Sequence, residues 1–129
     1  MSATLDVRRV GPHVAEVWLN RPEVRNAFND GVVAELTAAF TELGAQPGLR
    51  AIVLAGHGKA FCAGADLSWM RSMADYTWAQ NHADASALAQ MLWTIWSSPL
   101  PVVARIQGDC YAGGVGLAAV CDVVVAADD

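Results

Sequence analysis

The stretch Gly108–Asp122 constrains the fold of this 129-residue chain more than any other. Glycines occupy positions 113, 114 and 116, after the largely apolar run Pro101–Ile106 and before the β-branched run Val123–Val125. This pattern predicts a strand, a glycine turn, a short helix and another strand. Glycine tolerates positive φ and close backbone approach, and a turn that opens a helix presents unpaired N–H groups. Such a turn suits an anion, or an oxygen that becomes negative during a reaction.

A second glycine turn, Gly58–Asp66, also follows a β-branched run and precedes a helical pattern. Two such turns could each supply one N–H group to the same oxygen atom. Turns of this kind are also common where a helix packs closely on a sheet, so packing alone remains an alternative interpretation.

Strand patterns alternate with helix patterns along the chain and predict an α/β fold. The predicted strands are a hairpin of Thr4–Arg9 and Val14–Leu19 across Gly11–Pro12, then Arg50–Ala55, Pro101–Ile106 and Val123–Val125. The run Ile52–Leu54 is continuously apolar, which is typical of a strand buried on both faces. The alternation predicts a parallel or mixed sheet with right-handed crossovers.

Helical patterns separate these strands. The first helix has a cap at Asn29 or Asp30 and ends at Gly44. Asp66 is the predicted N-cap of a short second helix, and a longer one runs from about Tyr76 to Trp96. The apolar faces comprise Val32, Leu36, Phe40 and Leu43 in the first helix, and Leu88, Leu92, Ile95 and Trp96 in the long one.

Composition excludes several classes of function. The net charge of −5 argues against a nucleic-acid-binding surface. No apolar run reaches the ~18 residues that span a bilayer, and the N-terminus lacks the features of a secretory signal. The chain has three cysteines and no C-x-x-C spacing, a pattern that suits a reducing compartment. We therefore expect a cytoplasmic protein without a membrane partner.

Patterns for metal binding and for a serine nucleophile are missing from the sequence. No Gly-x-Ser-x-Gly occurs, and His13, His57 and His82 lack metal-ligand spacing, so no metal is predicted. Cys110 and Cys121 have no histidine near in sequence and are interpreted as small buried apolar residues.

One rival motif is Gly114–Ala119, which matches GxGxxA, a relative of the dinucleotide fingerprint. The residues Gly108–Ala112 separate it from the preceding strand. The acidic residue expected about 20 positions later would fall beyond Asp129. A dinucleotide-binding oxidoreductase therefore stands third among the hypotheses.

Three motifs together resemble the crotonase superfamily, the enoyl-CoA hydratase/isomerase family. They are Asn20-Arg-Pro with Asn26-Ala27, then Gly58–Leu67, then Ile106–Asp122. The resemblance implies a crotonase-like fold of repeated ββα units with a mixed, largely parallel sheet. Since 54% of the residues are hydrophobic and the chain ends just after an apolar strand, we expect residues 1–129 to be the N-terminal core part of such a domain, or to depend on a partner surface.

The resemblance implies an acyl-CoA hydratase or isomerase without a separate cofactor. Family members hold a thioester enolate with two backbone N–H groups, which by motif position belong here to Ala65 and Gly113. The backbone of Ala63–Leu67, including Asp66, would line the pantetheine arm, and Arg25 would lie near the adenosine end. Full-length members would form trimers or hexamers.

The chain departs from the family pattern at the proton-transfer position. Gly116 replaces a catalytic glutamate found in many hydratases, and the second family glutamate would lie beyond Asp129. The Gly-Val-Gly-Leu version resembles methylglutaconyl-CoA hydratases. Asp109 and Asp122 are the only carboxylates beside the turn, and Asp122 is interpreted as a backbone hydrogen-bonding residue. An isomerase with one glutamate and a non-catalytic acyl-CoA-binding protein therefore remain alternatives.

Overall fold

The five strands lie in the sheet in the same order as in the sequence. The structure is a computed structural model that describes residues 4–128. The strands are β1 (Leu5–Val10), β2 (Val14–Leu19), β3 (Ala51–Gly56), β4 (Val102–Ile106) and β5 (Val123–Ala126). β1 and β2 form an antiparallel hairpin, and β2 to β5 run parallel. The predicted mixed, largely parallel sheet is confirmed.

In the part of the chain that the structure describes, four α-helices connect the strands. They are α1 (Asp30–Gly44), α2 (Leu67–Ser72), α3 (Trp78–Trp96) and α4 (Gly113–Ala119), with short 3₁₀ turns at Pro22–Val24 and Met73–Asp75. The side chain of Asn29 caps α1 by accepting from Val32 N, as the sequence predicts. No helix of the described part of the chain is both long enough and apolar enough to cross a bilayer.

One face of the sheet is covered by the helices. Along a row of paired residues across the sheet, Val17, Leu54 and Ala104 are fully buried. The predicted apolar face of α1 is confirmed, because Val32, Leu36, Phe40 and Leu43 are all buried. α1 packs against α3, and buried residues of both helices belong to the same core cluster as Val17 and Leu54.

The long helix differs from its prediction at both its start and its buried face. It begins at Trp78, because Tyr76 is extended and Thr77 forms a capping box with Gln80. Trp96, predicted to be inside, is 58% exposed, and Met91 is buried beside Ile95 instead. Tryptophan on a helix next to a core is amphipathic enough to lie at the rim, and the flexible Met side chain fills the interior.

The parallel strands are not buried on both faces as predicted. On the second face, Val53 of β3 and Val103 of β4 are half-buried. Every residue of β5 is exposed. The continuous apolar runs therefore occur in a sheet that, within the described residues, is well covered on one face and only at β2 to β4.

We expect Met91→Ala to lower the free energy of unfolding by about 3 kcal/mol, because it leaves a cavity between α1 and α3. Trp96→Ala should cost much less, since most of its ring already contacts solvent. Urea unfolding monitored by circular dichroism measures both values. Equal losses for the two variants would contradict the observed orientation of α3.

Candidate active site

The two glycine turns lie side by side, at the carboxyl ends of the neighbouring strands β3 and β4. Cys62 and Cys110 form an isolated parallel bridge. Phe61 N donates to Asp109 O at 3.0 Å, and Tyr111 N donates to Cys62 O at 3.3 Å. Ala65 and Gly113 each lie three residues after this bridge, so they occupy equivalent positions on the two turns.

Three glycines permit this close approach of the two backbones. A Cβ on Gly108 would lie 1.8 Å from Lys59 O, and one on Gly114 would lie 2.3 Å from Cys62 O. A Cβ on Gly64, where φ is +97°, would lie 3.0 Å from Gly113 N. Any side chain at these positions would force the turns apart.

Two backbone amides at this junction are unpaired. Within residues 4–128, neither Ala65 N nor Gly113 N has a hydrogen-bond acceptor. Asp66 N donates to Phe28 O, and because successive amides of extended chain point to opposite sides, Ala65 N–H points away from Phe28. Gly113 opens α4, where the first amides have no partner within the helix.

Ala112, which precedes Gly113, has a backbone conformation that L-residues rarely adopt. Its φ is 52° and its ψ is −127°. Glycine would accept this conformation without strain. The strained residue holds the peptide that carries Gly113 N–H.

The loop between β2 and α1 is joined to the first glycine turn by Asn26. Asn26 is buried, and its backbone has a φ of 57°. Its side chain donates to His57 O and Ala60 O and accepts from Arg21 N. The contacts with His57 and Ala60 are remote in sequence, and no local pattern predicted them.

Asp66 caps α2 as predicted, accepting from Ser68 N and Trp69 N. It also accepts from Arg21 Nη2 at 3.0 Å, a contact that the sequence reasoning missed. Burial by itself raises the pKa of Asp66, but the amides of Trp69 and Ser68 and the Arg21 guanidinium outweigh it and hold the pKa below its ordinary value. The carboxylate is therefore ionised at neutral pH, and its contacts hold the start of α2 and the side chain of Arg21 in place.

The short helix α2 is tied to α3 at one further point. Trp69 is buried against Phe28 in an edge-on contact. Its Nε1 donates to Asp84 Oδ2 at 3.2 Å, and Asp84 lies in the first half of α3. The two helices therefore share a hydrogen bond near the cleft.

An open cleft of about 470 Å³ lies beside the first turn. Five of the predicted substrate-binding residues line it, and Gly113 does not. The lining comprises Arg25, Ala63, Ala65, Asp66 and Leu67, together with Glu23, Val24, Ala27, Ser68 and Tyr111. Glu23 and Tyr111 were not predicted; both are exposed, polar neighbours of motif residues, which is the signal that could have identified them.

Arg25 bridges the two turns at the mouth of the cleft. Its Nη1 donates to Asp109 Oδ2 at 3.2 Å and to Tyr111 Oη at 3.4 Å, and the side chain is 63% exposed. The backbone carbonyl of Arg25 accepts from Ala63 N. An exposed guanidinium at this position can meet an anionic group at the end of a ligand.

Helix α4 decides between the motifs proposed for its sequence. It begins at Gly113, so Gly114 and Gly116 of the GxGxxA pattern lie within the helix instead of in a strand-to-helix turn. The dinucleotide interpretation is therefore wrong in its geometry. A Cβ on Gly116 would have nothing within 4 Å, so this position is open.

The remaining groups near the turn have structural roles. Asp122 Oδ2 accepts from Val102 N at 2.8 Å, as predicted. Burial raises the pKa of the Cys62 thiol to about 11 and that of Cys121 to about 12. These thiols are neutral at physiological pH, and Cys110 is half-buried.

The sheet, the paired turns and the cleft define a crotonase-type α/β protein. The crystal structure of a putative enoyl-CoA hydratase/isomerase (crotonase) from Legionella pneumophila matches with a TM-score of 0.91 at 36% identity, over 96% of this chain and 48% of the other. The Mycobacterium smegmatis enoyl-CoA hydratase matches with a TM-score of 0.90 at 37% identity, over 97% of this chain and 48% of the other. The crotonase-like fold is confirmed.

Sequence comparison gives the same result. The enoyl-CoA hydratase/isomerase family model matches residues 10–129. A putative enoyl-CoA hydratase of Thermus thermophilus is 42% identical over 113 residues, which are 88% of this chain and 45% of that protein. A mouse mitochondrial Delta(3,5)-Delta(2,4)-dienoyl-CoA isomerase is 35% identical over 131 residues, which are 93% of this chain and 39% of that protein. The chain belongs to the enoyl-CoA hydratase/isomerase family, and it spans about half the length of these relatives.

We expect Ala112→Gly to raise the free energy of unfolding by about 1 kcal/mol, because relief of backbone strain exceeds the entropic cost of glycine. The matched control Ala87→Gly, at an exposed position within α3, should lower it by about 1 kcal/mol. Thermal and urea unfolding measure both. Destabilisation by Ala112→Gly would contradict a strained backbone at this residue.

We expect Asp66→Asn to reduce stability at pH 7 and to flatten its decline in acid. Because the folded-state pKa of Asp66 is lowered, its contribution is present above the unfolded value of about 4 and is lost as pH falls further. Urea unfolding at several pH values between 2.5 and 7 tests this, with Asp75→Asn at an exposed site as control. An unchanged acid profile would count against the ion pair with Arg21.

Proposed function

We propose that this chain carries the acyl-CoA-binding half of an enoyl-CoA hydratase or isomerase. The observation that carries the proposal is the pair of unpaired amides, Ala65 N and Gly113 N, on adjacent turns beside an open cleft. Membership of the enoyl-CoA hydratase/isomerase family supports the substrate class. The reaction is proton transfer at carbons next to a thioester carbonyl.

In this proposal the two amides act as an oxyanion hole. They donate to the thioester oxygen, whose negative charge is largest in the enolate and in the transition state that leads to it. Binding is therefore differential, as catalysis requires. Donors fixed by a backbone need no reorganisation during the reaction, and one such donor contributes roughly 3 kcal/mol to barrier lowering.

The cleft supplies the path for the rest of the ligand. We propose that the backbone of Ala63, Ala65, Asp66 and Leu67 lines the pantetheine arm, since all four residues line the cleft. Arg25 at its mouth is the cation that meets the phosphates of the adenosine end. We further propose that the protein is cytoplasmic and that its full-length form is a trimer or a hexamer. Its reaction would belong to fatty-acid or branched-chain amino-acid catabolism.

The family's first proton-transfer position carries no acid or base here, because Gly116 has no side chain, and Asp66 and Asp109 are paired with Arg21 and Arg25. The second candidate is therefore an acyl-CoA-binding protein without catalysis. Assays of crotonyl-CoA hydration and of enoyl-CoA isomerisation separate the two candidates, because both bind the thioester and only the enzyme converts it.

We expect cinnamoyl-CoA, whose conjugated thioester absorbs at longer wavelength than adenine, to shift further to the red when it binds this chain. Two N–H donors to its carbonyl oxygen would polarise the conjugated system. Gly64→Ala should abolish the shift, because its Cβ would push against Gly113 N. Difference absorption spectroscopy measures the effect.

The matched control is Gly48→Ala, which has a similar φ of +86° but no atom within 4 Å of the added Cβ. It imposes the same kind of backbone strain at a distance from the cleft and should keep the red shift. Binding without a shift in the unmodified chain would exclude the oxyanion hole, and no binding at all would exclude acyl-CoA as its ligand.

A further inference from the structure

Cys62 and Cys110 are paired directly across the two glycine turns. In their parallel bridge, Cys62 N donates to Asp109 O and Cys62 O accepts from Tyr111 N, both at 3.3 Å. Residues that are paired in this way direct their side chains to the same side of the two backbones. The two thiols are therefore neighbours, although they are far apart in the sequence.

The spacing of such a pair suits a disulfide bond. Neighbouring strands lie about 4.8 Å apart, and Cα atoms that a disulfide joins are usually about 4.4–6.8 Å apart. The thiols also interact electrostatically. Burial raises the pKa of the Cys62 thiol to about 11, the Gly64 amide offsets part of this rise, and a charge on the Cys110 thiol adds to it. The register of the turns therefore permits the two sulfur atoms to bond.

The two thiols differ in their access to solvent. Cys110 is half-buried, whereas Cys62 is 0% exposed. A small oxidant such as a peroxide therefore meets Cys110 first and leaves Cys62 as the resolving thiol, an arrangement found in redox-sensing proteins. Burial raises the pKa of both thiols, so only a small fraction is thiolate at neutral pH and the oxidation is slow.

We propose that Cys62 and Cys110 are a redox modification site, at which a peroxide closes a reversible disulfide between the two turns. The Cys110 thiolate attacks one oxygen of hydrogen peroxide, the O–O bond breaks, and a sulfenic acid forms as hydroxide leaves and takes up the thiol proton. The Cys62 sulfur then attacks the sulfenic sulfur. The S–S bond forms, the S–O bond breaks, and the Cys62 proton leaves with the hydroxide as water. The two sulfurs lose two electrons in total, and the peroxide is reduced to two water molecules.

The disulfide acts on the turn that carries Ala65. In the reduced protein, Gly64 N donates to Cys62 Sγ at 3.4 Å, and Cys62 Sγ donates to Asn26 O at 3.3 Å. A bond to Cys110 removes the thiol proton, and with it the contact with Asn26 O. It also redirects the sulfur lone pairs that accept from Gly64 N, next to the unpaired amide of Ala65. The proposal does not rest on the chemistry under Proposed function, because it concerns two side chains and a peroxide.

The test uses the Cys121→Ser variant, in which Cys62 and Cys110 are the only cysteines. Hydrogen peroxide is added at mildly alkaline pH, where the thiolate fraction is larger. Mass spectrometry of the intact chain should show the loss of two hydrogen atoms. Trypsin digestion without reduction should give the peptides Ala60–Arg71 and Ile106–Asp129 joined by a disulfide. Dithiothreitol should reverse both changes.

The matched control is Cys110→Ser in the otherwise unmodified chain. It removes the accessible thiol at a half-buried position, where serine is tolerated better than at the buried Cys62. It also leaves Cys121, whose Sγ donates to Leu117 O at 3.5 Å, as the second cysteine. This variant should lose no hydrogen atoms and give no joined peptides under the same treatment.

Nuclear magnetic resonance of the nitrogen-labelled Cys121→Ser variant measures the effect on the turns. Oxidation should shift the amide signals of Gly64 and Ala65 and leave those of Leu36 and Phe40, within α1, unchanged within error. Dithiothreitol should restore the original positions.

Four results would overturn the proposal. The first is addition of oxygen atoms to the thiols without loss of two hydrogen atoms. The second is joined peptides in Cys110→Ser, which would show that the pairing of thiols is not specific. The third is a disulfide between two copies of the chain, seen as a covalent dimer. The fourth is an oxidised chain in which the Gly64 and Ala65 signals do not move.

Discussion

The contact between two stretches of backbone, Cys62–Ala65 and Cys110–Gly113, is the constraint on which the rest of the site depends. The turns follow β3 and β4, and the carboxyl ends of adjacent parallel strands meet at one edge of the sheet. Direct backbone contact is then possible only where side chains are missing, at Gly64, Gly108 and Gly114. The sheet topology brings the turns together, and the glycines set how closely they approach.

Local patterns in the sequence were sufficient for the elements and for the turns. The caps at Asn29 and Asp66, the buried face of α1 and the parallel strands all depend on short-range periodicity and on side chains that reach one or two turns away. The pairing of the two turns was a hypothesis from the glycine pattern, and the resemblance added the donor residues, because it fixed Ala65 and Gly113 by motif position. Their equivalent placement beyond the Cys62–Cys110 bridge is consistent with that assignment.

The parts that sequence reasoning missed are long-range contacts and choices between similar faces. Asn26 is 31 and 34 residues from His57 and Ala60, and Arg21 is 45 residues from Asp66, so no short window of sequence contains both ends of those hydrogen bonds. In α3, several apolar residues compete for the interior, and the packing against α1 selects Met91 over Trp96. Apolar composition reports what a strand can bury and not what covers it, and every residue of β5 is exposed.

The hydrogen bond between Trp69 and Asp84 has a consequence for the wall of the cleft. It joins the six-residue helix α2, whose first residues line the cleft, to the nineteen-residue helix α3, whose first half is mostly exposed. The second half of α3 is anchored in the core by Met91 and Ile95. The orientation of the Trp69 indole ring is therefore set from two sides, by the packing against Phe28 and by a carboxylate of another helix.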